Sequence, residues 1–180
     1  MSTEKELKFH LEGISQFVDI YNAVNDIYGL DLEEGPFLRY VDSYFEDGDD
    51  HFRLRTMVSE SDPNGLLMKV TRKSKPVMEN GFMVRSEDEE AVTVNDLPRI
   101  YRNLKPVLAI SCSRQIIYIK TDSVIAEMSL DTVEMASRME QFVEIELKQE
   151  DAVGLEKLAD LFGHLLTDKS KKQILMETQE

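Results

Sequence analysis

A lone cysteine, Cys112, leaves no intrachain disulfide to form, and a reducing cytosol is the expected compartment. No run of about 18 apolar residues is available to span a bilayer as a helix. The opening Met1-Ser2-Thr3-Glu4-Lys5-Glu6 also lacks the basic-then-apolar order of a secretory signal, so a soluble cytoplasmic protein is expected. Positive charge is scarce: 21 Lys and Arg stand against 35 Asp and Glu, for a formal net charge of -14. That balance argues against a binder of nucleic-acid duplexes and against a basic membrane-surface protein, while an acidic excess can supply cation ligands. Ser111-Cys112-Ser113 has no flanking glycines and is not a nucleophile elbow. His10, His51 and His164 share no metal-ligand spacing, and Asp47-Gly48-Asp49-Asp50 lacks the EF-hand spacing and reads as an acidic hairpin turn. There is no internal repeat and no low-complexity tract.

What remains is enough for one sizeable core, with 42% hydrophobic residues in 180 and no break in composition; one domain over 1–180 is expected. Short segments rich in β-branched, aromatic or alternating residues occupy 4–11, 38–46, 51–58, 65–73, 82–89, 107–113, 115–121, 123–131 and 142–148. Turn signals at Asp47–Asp50, Asp62-Pro63-Asn64-Gly65 and Glu79-Asn80-Gly81 predict hairpins and an antiparallel sheet. Helical periodicity covers roughly 13–28, 95–104 and 150–164, and the tail from Asp168 predicts a further short helix around Ile174-Leu175-Met176.

Strand alternation sorts the charges. Glu4, Glu6 and Lys8 share one face of the first strand, Glu144, Glu146 and Lys148 one face of the last, and Arg53 and Arg55 one face of a middle strand. Lys69, Thr71 and Lys73 align, as do Arg85, Glu87 and Glu89, and Glu127 and Asp131. The solvated face of an ordinary half-buried sheet alternates in the same way. Two carboxylates at i and i+2 on one strand repel, however, unless a cation lies between them. If the sheet curls with its charged faces inward, acidic metal ligands come beside cationic phosphate ligands.

The pieces also occur in a telling order: Glu4, Glu6 and Lys8 as Glu-x-Glu-x-Lys, then Asp42-Ser43-Tyr44-Phe45, Phe52-Arg53-Leu54-Arg55, Leu67-Met68-Lys69 and Arg85-Ser86-Glu87. Arg114, Leu130-Asp131 and Phe142-Val143-Glu144-Ile145-Glu146 follow. Over nearly the whole chain this resembles the CYTH family, or triphosphate tunnel metalloenzymes, which includes thiamine triphosphatases, inorganic triphosphatases and class IV adenylate cyclases. The resemblance implies an α+β fold, an eight-stranded antiparallel β-barrel forming a triphosphate tunnel with flanking helices. It makes Glu4, Glu6, Asp131, Glu144 and Glu146 candidate ligands for magnesium or manganese, with two ions expected. Lys8, Arg53, Arg55, Lys69 and Arg114 become candidate catalytic and triphosphate-binding residues, with Glu87 a supporting carboxylate. The chain departs from the pattern at Cys112, where many members carry a basic residue, and at Glu140-Gln141, where a glycine is usual. Whether Lys171 or Lys172 reaches the tunnel is left open.

The implied activity is divalent-metal-dependent hydrolysis of inorganic triphosphate, thiamine triphosphate or a nucleoside triphosphate. A class IV adenylate cyclase using the same site, and a non-catalytic polyphosphate-binding or nucleotide-binding module, are the alternatives. The expected partner is a small-molecule triphosphate, with no nucleic-acid duplex or membrane involved, and the chain is expected as a monomer or homodimer.

Overall fold

The computed structural model describes residues 2–29, 32–45, 51–120, 124–134, 139–148 and 154–177. The predicted acidic turn at 47–50 lies outside these residues, as does the side chain of His51. Nine strands alternate with short helices: β1 (Ser2–Leu11), α1 (Ile14–Tyr28), β2 (Leu32–Phe45), β3 (His51–Ser59), β4 (Asp62–Lys73), β5 (Val77–Glu79), β6 (Phe82–Ala91), α2 (Leu97–Asn103), β7 (Pro106–Lys120), β8 (Val124–Glu134), β9 (Met139–Leu147), α3 (Glu156–Leu161) and α4 (Lys171–Glu177).

The sheet runs β1-β9-β8-β7-β2-β3-β4-β6, and β6 returns to pair with β1, so eight strands close into a ring. Each neighbouring pair is antiparallel. Closure satisfies the edge N–H and C=O groups that an open sheet exposes. The three-residue β5 adds to β6 outside the ring, through a turn with Asn80 at φ 52 and Gly81 at φ 83, the geometry that an Asn-Gly pair favours.

Two details correct the sequence expectations. Segments 107–113 and 115–121 are one 15-residue strand, β7, because no Gly or Pro interrupts the alternation through Arg114 and the strand is paired on both sides, by β2 and β8. The β3–β4 turn falls on Glu60-Ser61, with Ser59 opposite Asp62, so Asp62–Gly65 lies inside β4 and is no loop.

Most of the apolar core lies outside the ring. The outward faces of β1, β7, β8 and β9 supply Leu7, Phe9, Ile119, Met128, Val143 and Ile145, which pack under Ile20 and Val24 of α1 and Leu158 of α3. Each such fully buried side chain contributes about 1.5–3 kcal/mol. Phe52, Leu54, Met68 and Val70 form a second cluster with Ile100 of α2. A third cluster has the opposite parity. Ile174 and Leu175 of α4 dock on Tyr40, Tyr44, Ile110, Cys112, Val133 and Phe142, which point into the ring. The last helix therefore closes one end of the interior, and charged residues take most of the remaining inward positions, with Leu38, Met57 and Ile116 among the exceptions.

Candidate active site

The interior darkens in polarity from mouth to floor. At the mouth, Lys69, Glu89, Glu146 and Lys148 are 44%, 39%, 32% and 36% exposed, whereas Asp131 and Asp42 on the floor are fully buried. Between them is a cavity of about 260 Å³, lined by Glu4, Glu6, Arg53, Arg55, Lys69 and Arg114 among others. A larger groove of about 460 Å³ crosses the outer face of β2, β3 and β7 at Arg39, Val41, Thr56 and Val58, but the titratable groups converge in the ring.

All the residues that the sequence singled out face this interior. Glu4 accepts from Lys73 at 2.8 Å and from Arg85 at 2.7 Å, and the other arm of Arg85 reaches Glu6 at 2.8 Å. The repulsion expected between Glu4 and Glu6 is thus relieved by a guanidinium held between them. Lys8 lies 3.2 Å from Glu6 and 3.3 Å from Glu144. Glu87 pairs with Lys73 at 3.0 Å, Lys69 with Glu89 at 3.2 Å, and Glu146 with Lys148 at 2.7 Å. Arg114 grips Asp131 with two bonds of 2.6 Å and Glu144 with one of 2.7 Å.

Four contributors lie outside the candidate set of the sequence: Lys73, which pairs with Glu4 and Glu87, and Asp42, Arg85 and Lys171. Asp42 accepts two bonds from Arg55, at 2.7 and 2.8 Å, and a longer one of 3.4 Å from Arg53. Its place in the Asp42-Ser43-Tyr44-Phe45 piece was the available signal. Arg85 lies two residues before Glu87 in Arg85-Ser86-Glu87, a piece in which the resemblance implies a role for Glu87 alone. Lys171 enters from α4, 4% exposed, and bonds Asp131 as well as Glu144 at 2.9 Å. Lys172 is half-buried and has no such role among the described contacts.

These contacts set the protonation. Burial pushes the Glu4 carboxyl up, but Lys73 and Arg85 outweigh it and hold the group at about 2. Asp131 is likewise held at about 2, with burial opposed by Arg114 and Lys171. Glu144 lies well below the usual range, since Lys171, Lys8 and Arg114 together overcome burial. Glu146 goes the other way. Burial raises it, and Glu4 and Glu127 add to the rise against the pull of Lys148. Lys73 is lowered by burial and by the neighbouring Arg85. Burial raises the Cys112 thiol to about 12, which leaves it inert.

The arginines are not equally committed. Arg55 and Arg114 are fully engaged by carboxylates, and the Arg55 guanidinium also lies 3.8 Å over the Tyr40 ring. Arg53 makes only long contacts, 3.4 Å to Asp42 and 3.5 Å to Thr71, and its buried Nε has no hydrogen-bond partner among the described residues. An orphaned buried donor of this kind is costly unless an acceptor meets it.

No group of three or more His, Cys, Asp or Glu residues gathers closely enough to cage a metal among the described residues. The carboxylates stand in pairs, spaced by the protein's own cations. No helix among them is long and apolar enough to cross a membrane.

No protein-family model matches the chain, and no curated protein does. Solved structures do match its fold. The PH1819 protein from Pyrococcus horikoshii OT3 is 21% identical with a TM-score of 0.70, over 97% of this chain and 99% of that one. HpAC1 from Hippeastrum, proposed as an adenylyl cyclase and found to have a dominant triphosphatase activity, is 16% identical with a TM-score of 0.64, over 97% and 96%. A chain of the Mediator head module from Schizosaccharomyces pombe is 11% identical with a TM-score of 0.60, over 92% and 97%. Further matches include an RNA triphosphatase and a viral capping-enzyme triphosphatase. The chain shares the fold of CYTH-type, triphosphate tunnel proteins.

Proposed function

We propose that this protein is a divalent-metal-dependent hydrolase of a triphosphate, bound within the ring as in a tunnel. The observation that carries the reading is the convergence of Arg53, Arg55, Lys69 and Arg114 with paired carboxylates in one walled cavity, with Lys8 in an adjoining pocket that Arg53 also lines and with Arg53 itself held only by long contacts. Triphosphate oxygens are the acceptors such a set serves: arginines give bidentate, permanent contacts and lysines mobile point charges. Phosphoryl transfer asks chiefly for positioning and charge neutralisation, so no nucleophilic serine or cysteine is needed.

The donor set suits magnesium or manganese, which take oxygen ligands and are held through one or two carboxylates plus substrate phosphates, without an all-protein cage. Glu146 would hold such an ion at the mouth end, and Glu4 and Glu6 beside it would join only by exchanging Lys73, Arg85 and Lys8 for the metal. Glu146 is raised by burial and by the carboxylates Glu4 and Glu127, so a divalent cation would relieve it most. When bound, the ion neutralises phosphate charge and lowers the pKa of an attacking water. Asp131 and Glu144 serve differently, since Arg114 and Lys171 occupy their oxygens and both hold Arg114 in place. Asp42 does the same for Arg55 and Arg53. A reducing cytosolic setting suits a chain whose one thiol is buried.

The likeness to HpAC1, proposed as an adenylyl cyclase with a dominant triphosphatase activity, makes a cyclase the second reading to separate. Chromatography of the products from ATP with magnesium decides: ADP and phosphate support the hydrolase, cyclic AMP and pyrophosphate the cyclase. Phosphate release that persists without divalent metal contradicts the proposed mechanism.

A further inference from the structure

The cavity wall is charged over most of its circumference, but not over all of it. β2, β3 and β7 turn Leu38, Met57 and Ile116 into the same space that Arg53, Arg55 and Arg114 line. The register places them together. Met57 is the next inward residue after Arg55 along β3, Ile116 the next after Arg114 along β7, and Leu38 sits directly opposite Arg114 across the β2–β7 pair. One inward step spans about 6.8 Å of strand, so the apolar patch begins one step toward the mouth from two guanidinium groups.

The chain makes room for this patch. β2 is irregular between Glu34 and Phe37, and at Gly35 an added Cβ would lie 2.9 Å from both the Ile116 and Tyr118 side chains. Only a residue without a side chain lets those two pack against β2. Tyr118, the next residue of the same parity along β7, sits opposite Glu127 on β8 at the rim beyond Ile116. On the other side of the mouth the cavity stays charged, with Glu127, Glu146 and Lys148.

An inorganic triphosphate presents oxygens over its whole length, and three apolar side chains offer it no donor. A ring carried on the end of a triphosphate is a different case, because apolar and aromatic walls with a few polar groups are the usual lining of organic-ligand sites. We infer that Leu38, Met57 and Ile116, with Tyr118 at the rim, form the subsite for the organic group of a nucleoside-type triphosphate. Its phosphates lie at the arginine end and its heteroaromatic ring on the apolar wall. The inference rests on the proposed triphosphate site and narrows its substrate to triphosphate esters.

Met57 and Leu38 are half-buried, so polar replacements of similar size are compatible with folding. The test compares ATP with inorganic triphosphate in the wild type and in the Met57→Gln and Leu38→Asn variants, with circular dichroism to verify the fold. Both KM values and calorimetric affinities for non-hydrolysable imido analogues in magnesium are read. The expected result is a fall of about tenfold in preference for ATP over inorganic triphosphate in either variant, the lower end of what an apolar contact in a pocket supplies. An unchanged preference in both variants, or wild-type selectivity for inorganic triphosphate, overturns the subsite while leaving the triphosphate site standing. Failure of every triphosphate to bind overturns the site itself, and the subsite with it.

Discussion

Replacing Asp42 with alanine probes how the interior is held together. The carboxylate is fully buried and is the acceptor for both arms of Arg55, at 2.7 and 2.8 Å, and for Arg53 at 3.4 Å. Burial pushes its carboxyl up, yet Arg53 and Arg55 keep it below the usual range, so it is ionised when it does this. Its loss leaves the Arg55 guanidinium, buried against Tyr40, without a counter-charge. Breaking a buried pair from one side costs about 3–5 kcal/mol. A chain of this size loses about 2–4 °C of melting temperature per kcal/mol, which gives a drop of roughly 6–20 °C. Thermal unfolding of the ligand-free protein followed by far-ultraviolet circular dichroism measures it. The double variant Asp42→Ala/Arg55→Met should be more stable than Asp42→Ala alone, because the stranded charge is gone. A melting point within 2 °C of wild type for Asp42→Ala, or a double variant no better than the single one, refutes this account of the floor.

Acid should loosen the same network. Glu4 and Asp131 sit at about 2 in the folded protein against ordinary values of 4.5 and 3.8, so their stabilisation is full above about pH 5 and is lost as pH falls toward 2. The shifts correspond to about 3 and about 2 kcal/mol, readable as a falling urea midpoint between pH 5 and pH 2; a flat midpoint would count against the ion pairs. Glu146→Gln should raise the magnesium concentration for half-maximal phosphate release by about tenfold or more, whereas an unchanged metal requirement removes Glu146 from the metal's surroundings. Cys112 should resist a thiol reagent at pH 8 until the protein is unfolded, since the group is buried and raised to about 12; rapid labelling of the native chain would contradict its placement.

Much of the interior was legible because a strand's period of two is rigid. Once Glu4, Glu6 and Lys8 shared a face, so did Arg53 with Arg55 and Glu144 with Glu146, and ring closure turned each of those faces inward. The Asn80-Gly81 turn was readable for the same local reason. What alternation cannot supply is partnership across the ring. Glu4 meets Lys73, 69 residues away, and a one-strand view left the Glu4/Glu6 repulsion for a metal to relieve when Arg85 already does so. Lys171 belongs to a seven-residue helix too short for periodicity to orient. Only the docking of Ile174 and Leu175 on the inward Tyr40, Ile110 and Phe142 carries it to Asp131. The unbroken β7 was missed because Arg114 reads locally as a polar break, while in the ring it is one more inward residue.

The central claim is that the inward cations bind a triphosphate, and Arg53 tests it most directly because it is the cation least bound to the protein itself. Phosphate release from a panel of inorganic triphosphate, thiamine triphosphate and nucleoside triphosphates, with magnesium or manganese, should show turnover in the wild type. In Arg53→Ala it should fall at least a hundredfold with the melting temperature nearly kept, the scale on which removing one transition-state donor acts. No turnover of any triphosphate by the wild type, or full activity in Arg53→Ala, would contradict it.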